Sequence, residues 1–203
     1  MTKGSRAAIG RGLEESYLAA EDPRGQSGFR GDAARWERAR RVLALAIDRD
    51  GIFLDIGCAN GHLMETLQAW CREDGRETEP YGLDASRKLA GLARRRLPRW
   101  ADRFFVGDAM AWDPPMRFDF VRTELDYVEE GDRPRYIGRL LEGFVKPGGR
   151  LVVCSYGTVS TNREPCEPVG DLLRWWGFGV AGEADAADSG GVVFTRIAWV
   201  DVP

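Results

Sequence analysis

The densest chemistry in the sequence is the run Leu54-Asp55-Ile56-Gly57-Cys58-Ala59-Asn60-Gly61. It opens in a short apolar stretch, Ile52–Gly57, and closes where a helical period begins, with Leu63, Leu67, Trp70 and Cys71 on one stripe. A tight turn there brings backbone N–H groups and a helix N-terminus close to a ligand. Glycines at 57 and 61 remove side chains that would block the approach. Two further acids end apolar runs: Asp84 after Tyr81-Gly82-Leu83, and Asp108 after Phe104-Phe105-Val106-Gly107. In open α/β sheets, ligands sit at the carboxyl ends of the strands. Three acidic tips in order therefore mark a candidate small-molecule site.

The elements that must carry these tips alternate. A helix starts near Asp32, which can cap it, with Trp36, Ala39 and Leu43 on one face. Strands are expected at 52–57, 80–84, 103–107, 118–124 and 151–155. Ser86 is expected to cap a helix running to Arg96, and Asp132 a helix with Ile137, Leu140 and Phe144 on its buried face. Lys146-Pro147-Gly148-Gly149 should break that helix. A loop rich in Thr, Ser, Asn and Pro follows the fifth strand, then a short helix, Val169–Trp176. Two last strands, near 177–182 and 192–202, have no crossover helix between them and should pair antiparallel. The expected fold is α/β: a doubly wound, mostly parallel seven-stranded sheet with an antiparallel last strand and helices on both faces. Residues 1–31 read as an N-terminal arm and 32–203 as the domain.

This pattern resembles the class I, Rossmann-like S-adenosylmethionine-dependent methyltransferases. Asp55, Gly57 and Gly61 match the family's acidic-x-Gly-x-x-x-Gly motif, with Ala59 at the usual middle glycine. Phe118-Asp119-Phe120-Val121 matches the fourth-strand motif, and Lys146-Pro147-Gly148-Gly149 the turn before strand five. The resemblance covers roughly Asp32–Val202 and implies S-adenosylmethionine as cofactor and S-adenosylhomocysteine as product. It implies that the loop including Cys58 wraps the methionine part, with Asp55 orienting the amino end. It implies Asp84, followed by Ala85, at the ribose hydroxyls, and Asp108 and Ala109 at the adenine, with Thr123 near the cofactor. A nicotinamide-binding fold would instead want Gly-x-Gly-x-x-Gly, which this loop lacks.

Composition narrows the class. The chain has 203 residues, 43% hydrophobic and 30% charged, enough for one domain with a sizeable core. No apolar run reaches the roughly 18 residues of a membrane span. Met1–Glu14 has no apolar signal region, so a cytoplasmic location is expected. Cys58, Cys71, Cys154 and Cys166 show no C-x-x-C spacing, and His62 is the single histidine, so no metal site is expected. Net charge is −3, which argues against a dedicated nucleic-acid binder. Arg94, Arg95, Arg96 and Arg99 read as the solvated face of a helix.

Methyl transfer from a sulfonium needs alignment and water exclusion more than a fixed catalytic signature. Candidate catalytic residues are Glu124, at the end of strand four, for contacting or steering the acceptor, and His62 as a base. Tyr17 would cover the pocket from the arm, with Tyr127, Ser155 and Tyr156 nearby. Within the arm, Arg30 or Gln26 would contact the cofactor carboxylate, since arginine grips carboxylates in a bidentate way. Trp112 packs either near the adenine or in the core. The expected function is methylation of O or N of a small molecule by a monomer or homodimer, with no membrane or nucleic-acid partner. The alternatives are an RNA or protein methyltransferase, or a non-catalytic subunit of the same fold. Asp113-Pro114-Pro115-Met116 lies before strand four and is not read as a base-nitrogen motif.

Overall fold

The computed structural model describes residues 12–157 and 166–203. The start of the arm, and most of the loop after the fifth strand, lie outside the described residues. Helix α1 (12–19) is followed by a 3-10 turn, Gly25–Ser27, and by α2 (Ala33–Arg40), which tightens into a 3-10 stretch, Arg41–Ala46. Then come β1 (Gly51–Ile56), α3 (His62–Glu73), β2 (Thr78–Asp84), α4 (Arg87–Arg96), β3 (Phe104–Val106) and β4 (Phe118–Glu124). The chain ends with α5 (Arg133–Gly143), β5 (Val145–Tyr156), α6 (Val169–Trp175), β6 (Val180–Ala187) and β7 (Val193–Asp201).

The strands form one seven-stranded sheet in the order β3-β2-β1-β4-β5-β7-β6. Pairs among β1 to β5 are parallel, and β7 runs antiparallel to both β5 and β6. The expected architecture is therefore the one found. Alternation along the strands splits the core. Leu54, Val121, Leu151 and Val153 face Tyr136, Ile137 and Leu140 of α5 and Leu173 of α6. Phe53, Phe120, Val152 and Cys154 face Trp36, Leu43, Leu63 and Leu67. A third cluster under α4 joins Cys58, Met64, Ala93, Trp100 and Phe104.

Local signals explain the helix starts. The Asp32 carboxylate accepts from the Arg35 N–H at 2.8 Å, and Ser86 Oγ accepts from the Leu89 N–H at 3.1 Å. Asp132 departs from the expectation. It sits at the cap position but makes no capping bond, and its carboxylate accepts from Arg135 Nη2 at 3.0 Å. Lys146–Gly149 also behaves differently. The helix has already ended at Gly143, and these residues form a bulge within β5, where the register steps from Phe118↔Val145 to Phe120↔Arg150. Strand β6 extends through Glu183, Asp185 and Ala187, a stretch whose composition suggests a turn. Pairing with β7 overrides that composition, as it does on half-solvated edges. The arginine row on α4 is only partly solvated: Arg94 donates to the Phe104 carbonyl, and Arg96 donates to the Asn60 carbonyl at 2.9 Å and pairs with Glu65 at 2.7 Å. Trp112 takes the core position, with ring centroids 5.0 Å from Phe105 and 5.8 Å from Phe144.

Gly82 shows how the sheet positions the loop after β1. A Cβ there would lie 2.6 Å from Cys58 Sγ and 2.8 Å from Met64 Sδ. Gly82→Ala should therefore push on the loop and cost about 1–3 kcal/mol, the usual range for overpacking, read as a lowered urea midpoint.

Candidate active site

The tips of β1, β2, β3 and β4 come together in one cleft of about 780 Å³. Its lining includes Gly57 and Ala59, Asp84 to Ser86, Gly107 to Ala109, and Glu124. The arm contributes Leu13, Glu14, Tyr17, Ser27 and Gly28, and α2 contributes Arg40. At the far end stand Asp126, Tyr127, Tyr136 and Tyr156.

The loop after β1 is braced from within. Gly57 and Cys58 donate to the Leu83 carbonyl at 2.8 and 3.2 Å, and Gly61 donates to the Cys58 carbonyl at 2.8 Å. Ala59 donates to Asp84 Oδ2 at 2.8 Å, and His62 donates to Asn60 Oδ1 at 3.0 Å. Ala59 holds a left-handed φ of 46°, a conformation costly for a residue with a Cβ. The glycines answer to packing as well as to any ligand. A Cβ on Gly57 would lie 2.2 Å from the Tyr127 hydroxyl, and one on Gly61 would meet Leu97 and Phe104 at 2.9 Å. The N–H groups expected to face a ligand are thus consumed within the protein. A phosphate cradle needs them free, so this cleft does not suit the pyrophosphate of a dinucleotide.

What it offers is carboxylate. Asp84 accepts from Ala59 and, through Oδ1, from the Ser86 N–H at 2.8 Å. Burial raises its pKa against the pull of these two bonds. Each oxygen keeps a lone pair for a hydroxyl donor. Asp108 Oδ1 accepts from the Met110 N–H at 2.9 Å and lies exposed at the rim.

Beneath the far end lies Arg122, which sequence reasoning missed. It is 3% exposed and sits in β4 opposite Asp55 of β1. It donates to Asp55 Oδ1 at 3.2 Å, the Ile56 carbonyl at 3.3 Å, the Tyr127 hydroxyl at 3.2 Å and the Tyr156 hydroxyl at 3.0 Å. It also pairs with Glu124, whose Oε1 accepts from the Tyr127 hydroxyl at 2.9 Å. Asp55 is 1% exposed, and its Oδ2 has no partner. Burial pushes its pKa up to about 6, opposed by Arg122 and reinforced by Glu124. One cue was available: an arginine in a central strand, directly after Phe120-Val121, requires a buried counter-charge.

The expected residues divide. Gly57, Asp84, Ala85, Asp108, Ala109, Glu124 and Tyr17 line the cleft. Asp55, Cys58, Gly61 and Thr123 do not. They lie just behind its wall, where Cys58 packs against Gly82 and Thr123 Oγ1 bonds the Tyr136 hydroxyl at 2.6 Å. Arg30 is exposed and off the lining, and the arginine that does line the cleft is Arg40. Its guanidinium lies 3.5 Å from the Tyr156 ring centroid and 5.2 Å from that of Phe29. It makes no hydrogen bond or ion pair among the described residues. Gln26 serves the arm: its Nε2 donates to the Ala20 carbonyl at 3.0 Å. Buried Asn60 ties that arm to the loop, donating to the Pro23 carbonyl at 2.8 Å and to Gln26 Oε1 at 3.3 Å. Glu14 fastens α1 at the other end, through Ser86 Oγ and a 2.8 Å pair with Lys88.

His62 is off the lining, its ring tilted against that of Trp36 with centroids 4.6 Å apart. Burial first, then Arg96, hold its pKa down to about 4, and its Nδ1 has no hydrogen-bond partner. The base role expected of it gives way to packing.

Residues 53–149 match a family model described as a methyltransferase domain. The sheet order and the cleft above agree with that match: the chain has a Rossmann-like fold, and its segment 53–149 is similar to a methyltransferase domain. A curated relative, trans-aconitate 2-methyltransferase from Methylobacterium radiotolerans, is 30% identical over 120 residues, 59% of this chain. The match spans less than half of that relative, 44%. Among solved structures, the N-methyltransferase NodS from Bradyrhizobium japonicum WM9, in complex with S-adenosylhomocysteine, superposes with a TM-score of 0.68. It is 20% identical, over 95% of this chain and 97% of the other. The 1,6-didemethyltoxoflavin-N1-methyltransferase of Burkholderia thailandensis gives 0.67 at 18% identity, over 100% and 91%. At such identities the likeness is one of fold. Among the described residues, no helix is long and apolar enough to cross a membrane.

The histidine gives a test. A base whose pKa is lowered from 6.5 to about 4 by folding is protonated first in the unfolded chain. Its contribution is therefore full above pH 6.5 and is lost as pH falls toward about 4. His62→Phe keeps the ring contact with Trp36 and should lose less stability on acidification, measured as urea midpoints at about pH 7.5 and about pH 5. Parallel losses in both proteins would clear His62.

Proposed function

We propose that the protein is a methyltransferase that transfers the methyl group of S-adenosylmethionine to O or N of a small molecule. The observation that carries this reading is the pairing of a braced, donor-poor loop with a carboxylate-lined cleft. It suits a cationic nucleoside with hydroxyl donors and disfavours a phosphate. The bound cofactor would supply an activated methyl, and the protein would align donor and acceptor while excluding water. Asp84 would take the ribose hydroxyls, Asp108 and Ala109 the adenine edge, and Gly57 would pass the methionine chain. Arg40 would grip the cofactor carboxylate, because its guanidinium is held in place by aromatic faces and has no anionic partner among the described residues. Residues 12–28 roof the cleft, which supports a small acceptor over a macromolecular one. Glu124 and Tyr17 would border the acceptor, with Tyr127 and Tyr156 completing that end. Two of the named relatives act on small molecules according to their names, trans-aconitate and 1,6-didemethyltoxoflavin, which is in keeping with this assignment.

Calorimetry with S-adenosylmethionine tests the cofactor. Asp84→Ala should weaken binding by about ten- to a hundredfold, the weight of hydrogen bonds to a charged group. Arg40→Met should weaken S-adenosylmethionine but leave adenosine, which lacks the carboxylate, unchanged. A loss of both ligands would reassign Arg40. Labelled methyl offered to a metabolite extract and to purified RNA and protein should enter the metabolite fraction. Binding without transfer to any fraction would favour a non-catalytic subunit.

A further inference from the structure

The three charges at the far end of the cleft do not cancel. Asp55 and Glu124 carry two negative charges, and Arg122 lies between them with one positive charge. The cluster is embedded: Arg122 and Asp55 are almost wholly buried, while Glu124 opens into the cleft. Four of the five partners of Arg122 are on the cleft lining, namely Ile56, Glu124, Tyr127 and Tyr156, the last three toward the end where the proposed methyl would be transferred. The charge of the ligand changes in the reaction. The sulfonium of S-adenosylmethionine is positive, and the thioether sulfur of S-adenosylhomocysteine is neutral. A net negative cluster in a low-dielectric wall favours the first over the second.

We infer that Arg122 is a positioning residue that sets the net charge beneath the methyl-transfer position by balancing Asp55 and Glu124, and so governs how the cleft discriminates the sulfonium cofactor from its thioether product. This rests on the proposed cofactor. Arg122 orients both tyrosine hydroxyls and pairs with Glu124, and it lets a deeply buried Asp55 carry charge at neutral pH. The groups facing Asp55 are Arg122 and Glu124 of β4, Asp84 of β2, Cys58 of the loop, Tyr127 after β4 and, through Arg122, Tyr156 of β5. Asp126, at the cleft, has its pKa raised to about 6 by burial and then by Glu124, so it must be separated from Asp55.

The readout is the ratio of the two dissociation constants, S-adenosylhomocysteine over S-adenosylmethionine, measured by calorimetry across pH. With Asp55 ionised above about pH 6, the cluster carries one net negative charge, and below that pH it carries none. The wild-type ratio should therefore fall by roughly tenfold as pH drops through that range. Asp55→Asn should give the low ratio at every pH. Arg122→Met leaves the buried Asp55 and the half-buried Glu124 unrelieved, so the step should move to higher pH. If that variant fails to fold, the double variant Asp55→Asn with Arg122→Met keeps the test alive. It retains Glu124 alone, with the wild-type net charge, and should show the high ratio without the step. A step that survives Asp55→Asn would assign it to Asp126 and overturn the inference. So would an Arg122→Met protein that loses both ligands equally with its step unmoved. Failure of wild type to bind either ligand would instead overturn the cofactor reading itself.

Discussion

One carboxylate holds the β1 and β2 side of the cleft together. Asp84 ends β2, yet its two oxygens fasten the loop after β1 and the first turn toward α4. It reaches across because β1 and β2 are parallel and in register, with Ile56 opposite Leu83. The left-handed Ala59 persists because this bond and the packed sulfurs of Cys58 and Met64 over Gly82 leave the loop no other course. Burial of the carboxylate raises the cost of ionising it, and the two N–H donors offset that cost. The same atoms that build the fold thus present a hydrogen-bond acceptor at the cleft surface.

The sequence made much of this legible, and for identifiable reasons. The strand tips were marked by acids and glycines that interrupt apolar runs, and the alternation with helical stripes set the sheet topology. The caps at Asp32 and Ser86 follow from local chemistry alone. Asp132 did not behave that way, because Arg135 competes for its carboxylate. The extent of β6 was hidden because its residues favour turns and only β7 makes them a strand.

Site residues were legible by position and less so by contact. Gly57, Asp84 and Asp108 line the cleft as their spacing suggested. Cys58, Gly61 and Thr123 are equally close in sequence but turn into the wall. A strand alternates its faces, so a residue beside a tip is as often behind it as in front. Arg30, expected at the cofactor carboxylate, is off the lining, and the arginine on the lining is Arg40. Arg40 ends the helix whose Trp36-Ala39-Leu43 stripe looked structural, and only tertiary packing on Tyr156 and Phe29 brings it to the cleft. Arg122 escaped notice because its partners on β1 and β5, Asp55 and Tyr156, are far from it in the sequence.

The two margins of the sheet bear on how the molecule lives at high concentration. One is β3, only three residues long, and the other is β6, an outermost ribbon with acidic side chains at Glu183 and Asp185. A ribbon with unpaired backbone groups is a template for stacking copies side by side into fibrils. Here Glu183 and Asp185 stand in ion pairs with Arg174 and Arg196, charged groups that a second copy would have to bury, and the short margin offers too few backbone groups to hold one. Growth of the sheet beyond a single chain is therefore opposed at both ends by the residues that finish it.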